Sequence, residues 1–103
     1  MSLTIDQAKE DIATRLSSQA NLFSLYSKQS IKRNMTVWPQ PKSHTVYIDV
    51  DTVCSNIGPI RWSKETLERV KRSILEDNIN RQSYGTITLW DDRTLRICVK
   101  EVI

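Results

Sequence analysis

Apolar residues recur every third or fourth position at the start of the chain and every second position further on. Ile5, Ala8, Ile12, Leu16, Ala20 and Phe23 fall on one stripe of a helix expected from Thr4 to about Tyr26. Thr4 or Asp6 can cap its first free amides, and Asp6, Glu10 and Asp11 suit the positive end of its dipole. Polar Ser17, Ser18, Asn21 and Ser24 weaken the later turns, so the helix is expected to fray between Leu25 and Ser30. A second helix is expected from Ser63 to Arg81. Ser63 is its N-cap, Leu67, Val70, Ile74 and Leu75 or Asn78 form its buried stripe, and Glu65/Arg69, Glu68/Arg72 and Arg72/Glu76 can pair on its outer face. Gly58-Pro59 marks a turn before it.

Between and after the helices the period is two. Val46, Ile48 and Val50 alternate with Tyr47, Asp49 and Asp51, and Ile87 and Leu89 alternate with Thr86, Thr88 and Trp90. Leu95, Ile97 and Val99 alternate with Arg96, Cys98 and Lys100. The last two runs flank Asp91-Asp92-Arg93. Keeping their apolar residues on one side pairs Leu89 with Leu95 and Ile87 with Ile97 across a three-residue turn. A shorter strand is expected from Met35 to Trp38, ending at Pro39 because proline cannot donate to a ladder.

The fold expected is a single α+β domain over residues 1–103. It is a two-layer sandwich of αββαββ order, with a mainly antiparallel sheet carrying both helices on one face. The same order results from circular permutation of a ferredoxin-like βαββαβ arrangement, its first strand moved to the end, an analogy of fold that carries no function. The C-terminal strand is apolar to its last residue. It is either central in the sheet or an edge through which a homo-oligomer forms.

Composition changes this picture little. The chain has 39% apolar and 26% charged residues, ordinary for a globular fold. No run approaches the ~18 apolar residues of a membrane span, and the acidic N-terminal segment is unlike a signal peptide, so a cytoplasmic address is expected. Cys54 and Cys98 lack metal-site spacing and are expected to be reduced, packed thiols.

Charge is more informative once laid along the chain. The net charge is +3, yet no acidic residue lies between Asp11 and Asp49, while Arg15, Lys28, Lys32, Arg33 and Lys42 do. That window carries +5 and the remainder −2. These cations complement a helix C-terminus, or they contact phosphates. The second reading is a nucleic-acid-binding protein using Arg15, Lys28, Lys32, Arg33 and Lys42, although no helix-turn-helix, zinc-finger, RRM or KH pattern accompanies them.

The candidate chemistry otherwise lies on the helix-free side of the sheet. Alternation sends Tyr84, Thr86, Thr88, Trp90, Arg96, Cys98, Lys100, Tyr47, Asp49 and Asp51 there. Aromatics with Arg and Lys suit base stacking, but Asp49 and Asp51 can pair with Arg96 and Lys100 and cancel much of the field a polyanion would feel. Asp49 and Asp51 also project as a metal pair would, with no third ligand at a spacing that points back to them. Trp38-Pro39-Gln40-Pro41 favours an extended conformation and leaves Trp38 either packed on its own domain or exposed as a recognition loop.

One histidine, His44, and two glycines supply neither a catalytic triad nor a phosphate loop, so no catalytic residue, metal or cofactor is assigned. The leading expectation is a non-enzymatic protein that docks on a protein partner through Trp38, Tyr47, Tyr84, Trp90, Arg96 and Lys100.

Overall fold

A computed structural model describes residues 3–20, 28–40, 42–55, 58–81 and 83–100. Phe23, Leu25 and Pro41 lie outside them, as do the side chains of Ala20, Cys54 and Asn78. Along the chain come α1 (Ile5–Ala20), α2 (Lys28–Arg33), β1 (Thr36–Gln40), β2 (Thr45–Val50), β3 (Thr52–Ser55), β4 (Gly58–Arg61), α3 (Lys64–Arg81), β5 (Tyr84–Trp90) and β6 (Thr94–Lys100). The fold is α+β, and the expected αββαββ order holds once α2 and the β3–β4 hairpin are added to it.

Both long helices start where hydroxyl caps stand. Thr4 Oγ1 accepts the Gln7 amide at 3.1 Å and Gln7 Oε1 accepts the Thr4 amide at 3.0 Å, a reciprocal box that satisfies two otherwise orphaned donors. Ser63 Oγ accepts the Thr66 amide at 3.2 Å, as its place before the apolar stripe suggests. Ala8, Ile12, Ala13 and Leu16 of α1 and Leu67, Val70 and Ile74 of α3 are buried. Leu75 is not part of that stripe: it is 45% exposed. On the outer face of α3, Glu65 pairs with Arg69 and Lys64 with Glu68, both loosely.

The main sheet is antiparallel with strand order β1-β2-β6-β5. This is the order a permuted ferredoxin-like sheet requires. Leu89 opposes Leu95 and Ile87 opposes Ile97, the register that apolar parity demands. Val46, Ile48 and Val50 from β2 and Leu95, Ile97 and Val99 from β6 are buried in one core with the helices. The β5–β6 turn holds Asp91 and Asp92 at φ 50° and 59°, a left-handed conformation that Asp tolerates better than most residues.

The structure decides one open alternative and corrects two expectations. The C-terminal strand is no edge: β6 is hydrogen-bonded to β2 on one side and β5 on the other, so Thr94–Lys100 has no free edge for a second copy. β1 does not stop before Pro39, which pairs with Val46 inside the strand. β1 is an outer strand, where a missing N–H turned outward breaks no ladder bond. Finally, Tyr84 does not face the helix-free side. It opposes Val99 whereas Ile87 opposes Ile97, so three residues on β5 span two on β6. This bulge turns Tyr84 inward, where it is 5% exposed.

The β3–β4 hairpin pairs Val53 with Ile60 and Thr52 with Arg61. It brings Val53, and just after it Trp62, into the core. Among the described residues no helix is long and apolar enough to cross a membrane.

Candidate functional site

Period-two geometry and the observed register build the helix-free face row by row. Thr36, Asp49, Arg96 and Thr88 lie across the four strands in one row. Trp38, Tyr47 and Cys98 form the next row, Gln40, Thr45 and Lys100 the one beyond, and Trp90 stands opposite Thr94 at the other end. Both Trp38 and Trp90 are about half exposed, at 49% and 48%.

Arg96 organises this surface. Its Nε donates to Asp49 Oδ1 at 2.8 Å and its Nη2 to Asp49 Oδ2 at 2.9 Å, the two-pronged geometry that fits a guanidinium to a carboxylate. The same Oδ2 accepts Trp38 Nε1 at 3.0 Å. The guanidinium carbon lies 4.3 Å from the Trp90 ring centre and 5.5 Å from that of Tyr47, within cation–π range of both. Trp38, Asp49, Tyr47, Arg96 and Trp90 are therefore one connected group crossing all four strands. The hydrogen bonds to Asp49 raise the Arg96 pKa above its ordinary value despite the loss of some solvent.

This arrangement holds two large rings in place and leaves much of their surface bare. Its central charges are mutually neutralised, so the face offers aromatic area bordered by polar groups, with the exposed cation Lys100 two rows away from the pair. Asp49 is a cross-strand partner of Arg96, one of the pairings the alternation allowed. Asp51 follows the end of β2, and among the described residues no cluster of three or more His, Cys, Asp or Glu side chains converges.

The remaining candidates separate. Lys100 is exposed on the same face, where a Cβ at Gly85 would come within 3.4 Å of its Cε. Tyr84 belongs to the other side of the sheet, and its hydroxyl donates to Asp11 Oδ2 at 2.5 Å.

The cations of the acid-free window meet carboxylates from elsewhere in the chain. Arg15 Nε lies 3.1 Å from Asp11, its Nη2 2.5 Å from Asp77, and its Nη1 donates to Ser73 Oγ at 2.6 Å. Burial works against the Arg15 charge, but hydrogen bonds to Asp77 and Asp11 outweigh it and raise its pKa. Lys32 contacts Asp6 at 2.9 Å and Glu10 at 3.2 Å, and Lys28 contacts Glu10 at 3.3 Å. The Lys32 pKa is raised, first by its hydrogen bond to Asp6, and the Glu10 pKa is lowered, first by its hydrogen bond to Lys32. Arg33, at the end of α2, and Lys42, in the β1–β2 turn, are exposed and have no ion pair among the described residues.

Sequence reasoning missed the bond from Trp38 to Asp49 and the stacking of Arg96 on Trp90. The second was within reach, because the β5–β6 register already sets Trp90 and Arg96 on one face near the turn. The first needs the β1–β2 register, which the Pro41-Lys42-Ser43-His44 segment does not specify by length or glycine content. Comparison with protein-family models, with curated proteins and with solved structures finds no match to this chain.

Proposed function

We propose that this is a non-enzymatic protein that docks on a partner protein through the helix-free face of its sheet. The observation that carries the reading is the pair of half-exposed tryptophans, Trp38 and Trp90, braced by one Asp49–Arg96 pair. Trp, Tyr and Arg are the residue types on which binding energy concentrates in protein interfaces. Rings already held by hydrogen bonding and stacking lose little freedom on docking, which favours affinity.

A protein partner suits the face better than a polyanion does. The Asp49 carboxylate sits beside the guanidinium, and three of the five cations in the basic window are engaged with Asp6, Glu10, Asp11 and Asp77.

The test has two stages. Tagged wild-type chain and the W38A/W90A variant are incubated with extract of the native host, with and without nuclease treatment, and any protein retained only by the wild type is prepared pure. Its affinity for both forms is then measured by titration calorimetry. A purified partner that binds the wild type and not the variant, with unchanged thermal melting of the variant, supports the reading. Equal retention by both forms, or retention abolished by nuclease, overturns it.

A further inference from the structure

The sheet has two outer edges, β1 and β5, and they are built differently. β1 carries Pro39, which removes a donor and blunts pairing with another strand. β5 carries no proline and no charge: Tyr84–Trp90 reads Tyr-Gly-Thr-Ile-Thr-Leu-Trp, mostly strong strand formers. Natural edges are usually protected by a lysine, a proline or a bulge. The bulge on β5 is confined to its start, between Tyr84 and Ile87, and the run from Ile87 to Trp90 is regular.

Apolar groups beside this edge are left short of burial. Leu89 is only partly covered, although Leu95, directly opposite it, is fully buried. Leu75 of α3 is 45% exposed. At about 100° per residue, Leu75 lies on the flank of α3 opposite Ser73 and Asp77, the two residues that reach Arg15 of α1. Lys64, Glu68 and Lys71 share the Leu75 flank. The Lys64–Asp92 contact at 3.3 Å sets the start of that flank beside the β5–β6 turn. With α1 against the opposite flank and α3 lying on β5 and β6, the Leu75 flank is on the outer, β5 side of the sheet.

We propose that the β5 edge is a homodimer contact, in which β5 pairs antiparallel with β5 of a second copy about a two-fold axis near Thr88 and joins two four-stranded sheets into one. The pattern of β5 is self-complementary about that point. Ile87 meets Leu89 of the second copy on the helix side, and Thr86 meets its Trp90 on the other side. The flank charges are of both signs, Lys64 and Lys71 with Glu68, so two copies can meet there with cations opposite the carboxylate. The contact supplies the edge with backbone partners and covers Leu89 and Leu75.

Sedimentation velocity over a wide concentration range tests this with the intact chain. The wild type is expected to pass from one to two chain masses as concentration rises. Thr88→Lys and Thr88→Glu each bring like charges together at the axis, and each is expected to weaken the dimer at least tenfold. Mixing the two variants in equal amounts restores a dimer, because opposite charges then meet. Leu75→Glu weakens it without touching the strand, and Thr36→Lys, on the β1 edge, leaves it unchanged. Unaltered thermal melting shows that each variant is folded. A wild type that stays at one chain mass throughout overturns the proposal, as does a dimer that survives both Thr88 variants or is lost with Thr36→Lys. None of these substitutions removes Trp38 or Trp90, so failure here is separable from failure of the partner-docking reading.

Discussion

Two polar groups in this molecule use similar chemistry to different ends. On the helix side, Arg15 ties Asp11, Ser73 and Asp77 together across α1 and α3, and Tyr84 joins from the sheet. On the helix-free side, Arg96 ties Asp49 to two rings that remain open to solvent. The first group links layers: the Arg15 guanidinium and Tyr84 are covered between them, while Asp77 stays open to solvent at the margin. The second links only neighbouring strands and displays what it holds. An arginine–carboxylate pair therefore says little about role until its surroundings are known: the same pair ties helix to helix in one place and frames exposed rings in the other.

If that contrast is right, substitutions on the two sides separate binding from stability. The largest effect is expected on binding: Trp38→Ala and Trp90→Ala should each weaken partner affinity by about 2 kcal/mol, some 30-fold, in titration calorimetry with little change in melting. Next, Arg15→Met should destabilise the fold by about 2 kcal/mol in urea unfolding while leaving partner affinity intact, since it removes the charged donor that Asp11, Ser73 and Asp77 share across α1 and α3. Tyr84→Phe should destabilise by about 1 kcal/mol in the same assay, because the hydroxyl that donates to Asp11 is lost while the ring stays. A drop in partner affinity with either helix-side variant, without unfolding, would erase the distinction.

The smallest effects belong to the exposed cations. Lys28→Ser with Arg33→Ser should leave the melting midpoint almost unmoved, since solvent screens such pairs, and should not alter binding to the protein partner. A salt-sensitive loss of nucleic-acid binding in this variant would instead favour phosphate recognition.

The pH dependence can be assigned a sign. Glu10 titrates below its ordinary value of 4.5 in the folded chain, so its contribution is present above 4.5 and is lost as pH falls through the lower folded value. Lys32 titrates above its ordinary value of 10.5, so its contribution is present below 10.5 and is lost as pH rises through the higher folded value. A carboxyl-detected NMR titration should find the Glu10 midpoint below 4.5 and returning upward in Lys32→Met.

Parity and capping were legible in the residues themselves. The alternation in 87–90 and 94–99 specifies which faces meet, and only one register keeps Leu89, Leu95, Ile87 and Ile97 together. Ser63 before an apolar stripe marks a helix start for the same local reason. What was illegible depends on contacts far along the chain. α2 is six residues long with one buried side chain, Ile31, too short for periodicity to register. The β3–β4 hairpin consists of two four-residue strands, and only its packing brings Val53 and Trp62 into the core.

The acid-free window overstates the unpaired charge for a related reason. A count along the chain cannot see that α1 carries Asp6 and Glu10 back against Lys28 and Lys32. The inward turn of Tyr84 did have a local signal. Gly85 within a strand pattern often marks a bulge, and here a Cβ would stand 3.0 Å from Cys98 Sγ.

That bulge gives the strand a spare residue. Tyr84 and Trp90 are six positions apart, so an unbroken pleat would send both to the same side, yet one points in and the other out. Losing one residue at Gly85-Thr86 would leave an odd spacing and preserve both orientations. The same loss at Thr88 would reverse one part of the strand against the other. Deletions in β5 are therefore unequal by position: at its start the pleat absorbs a shortened chain, and in its middle the same shortening turns an inward side chain out.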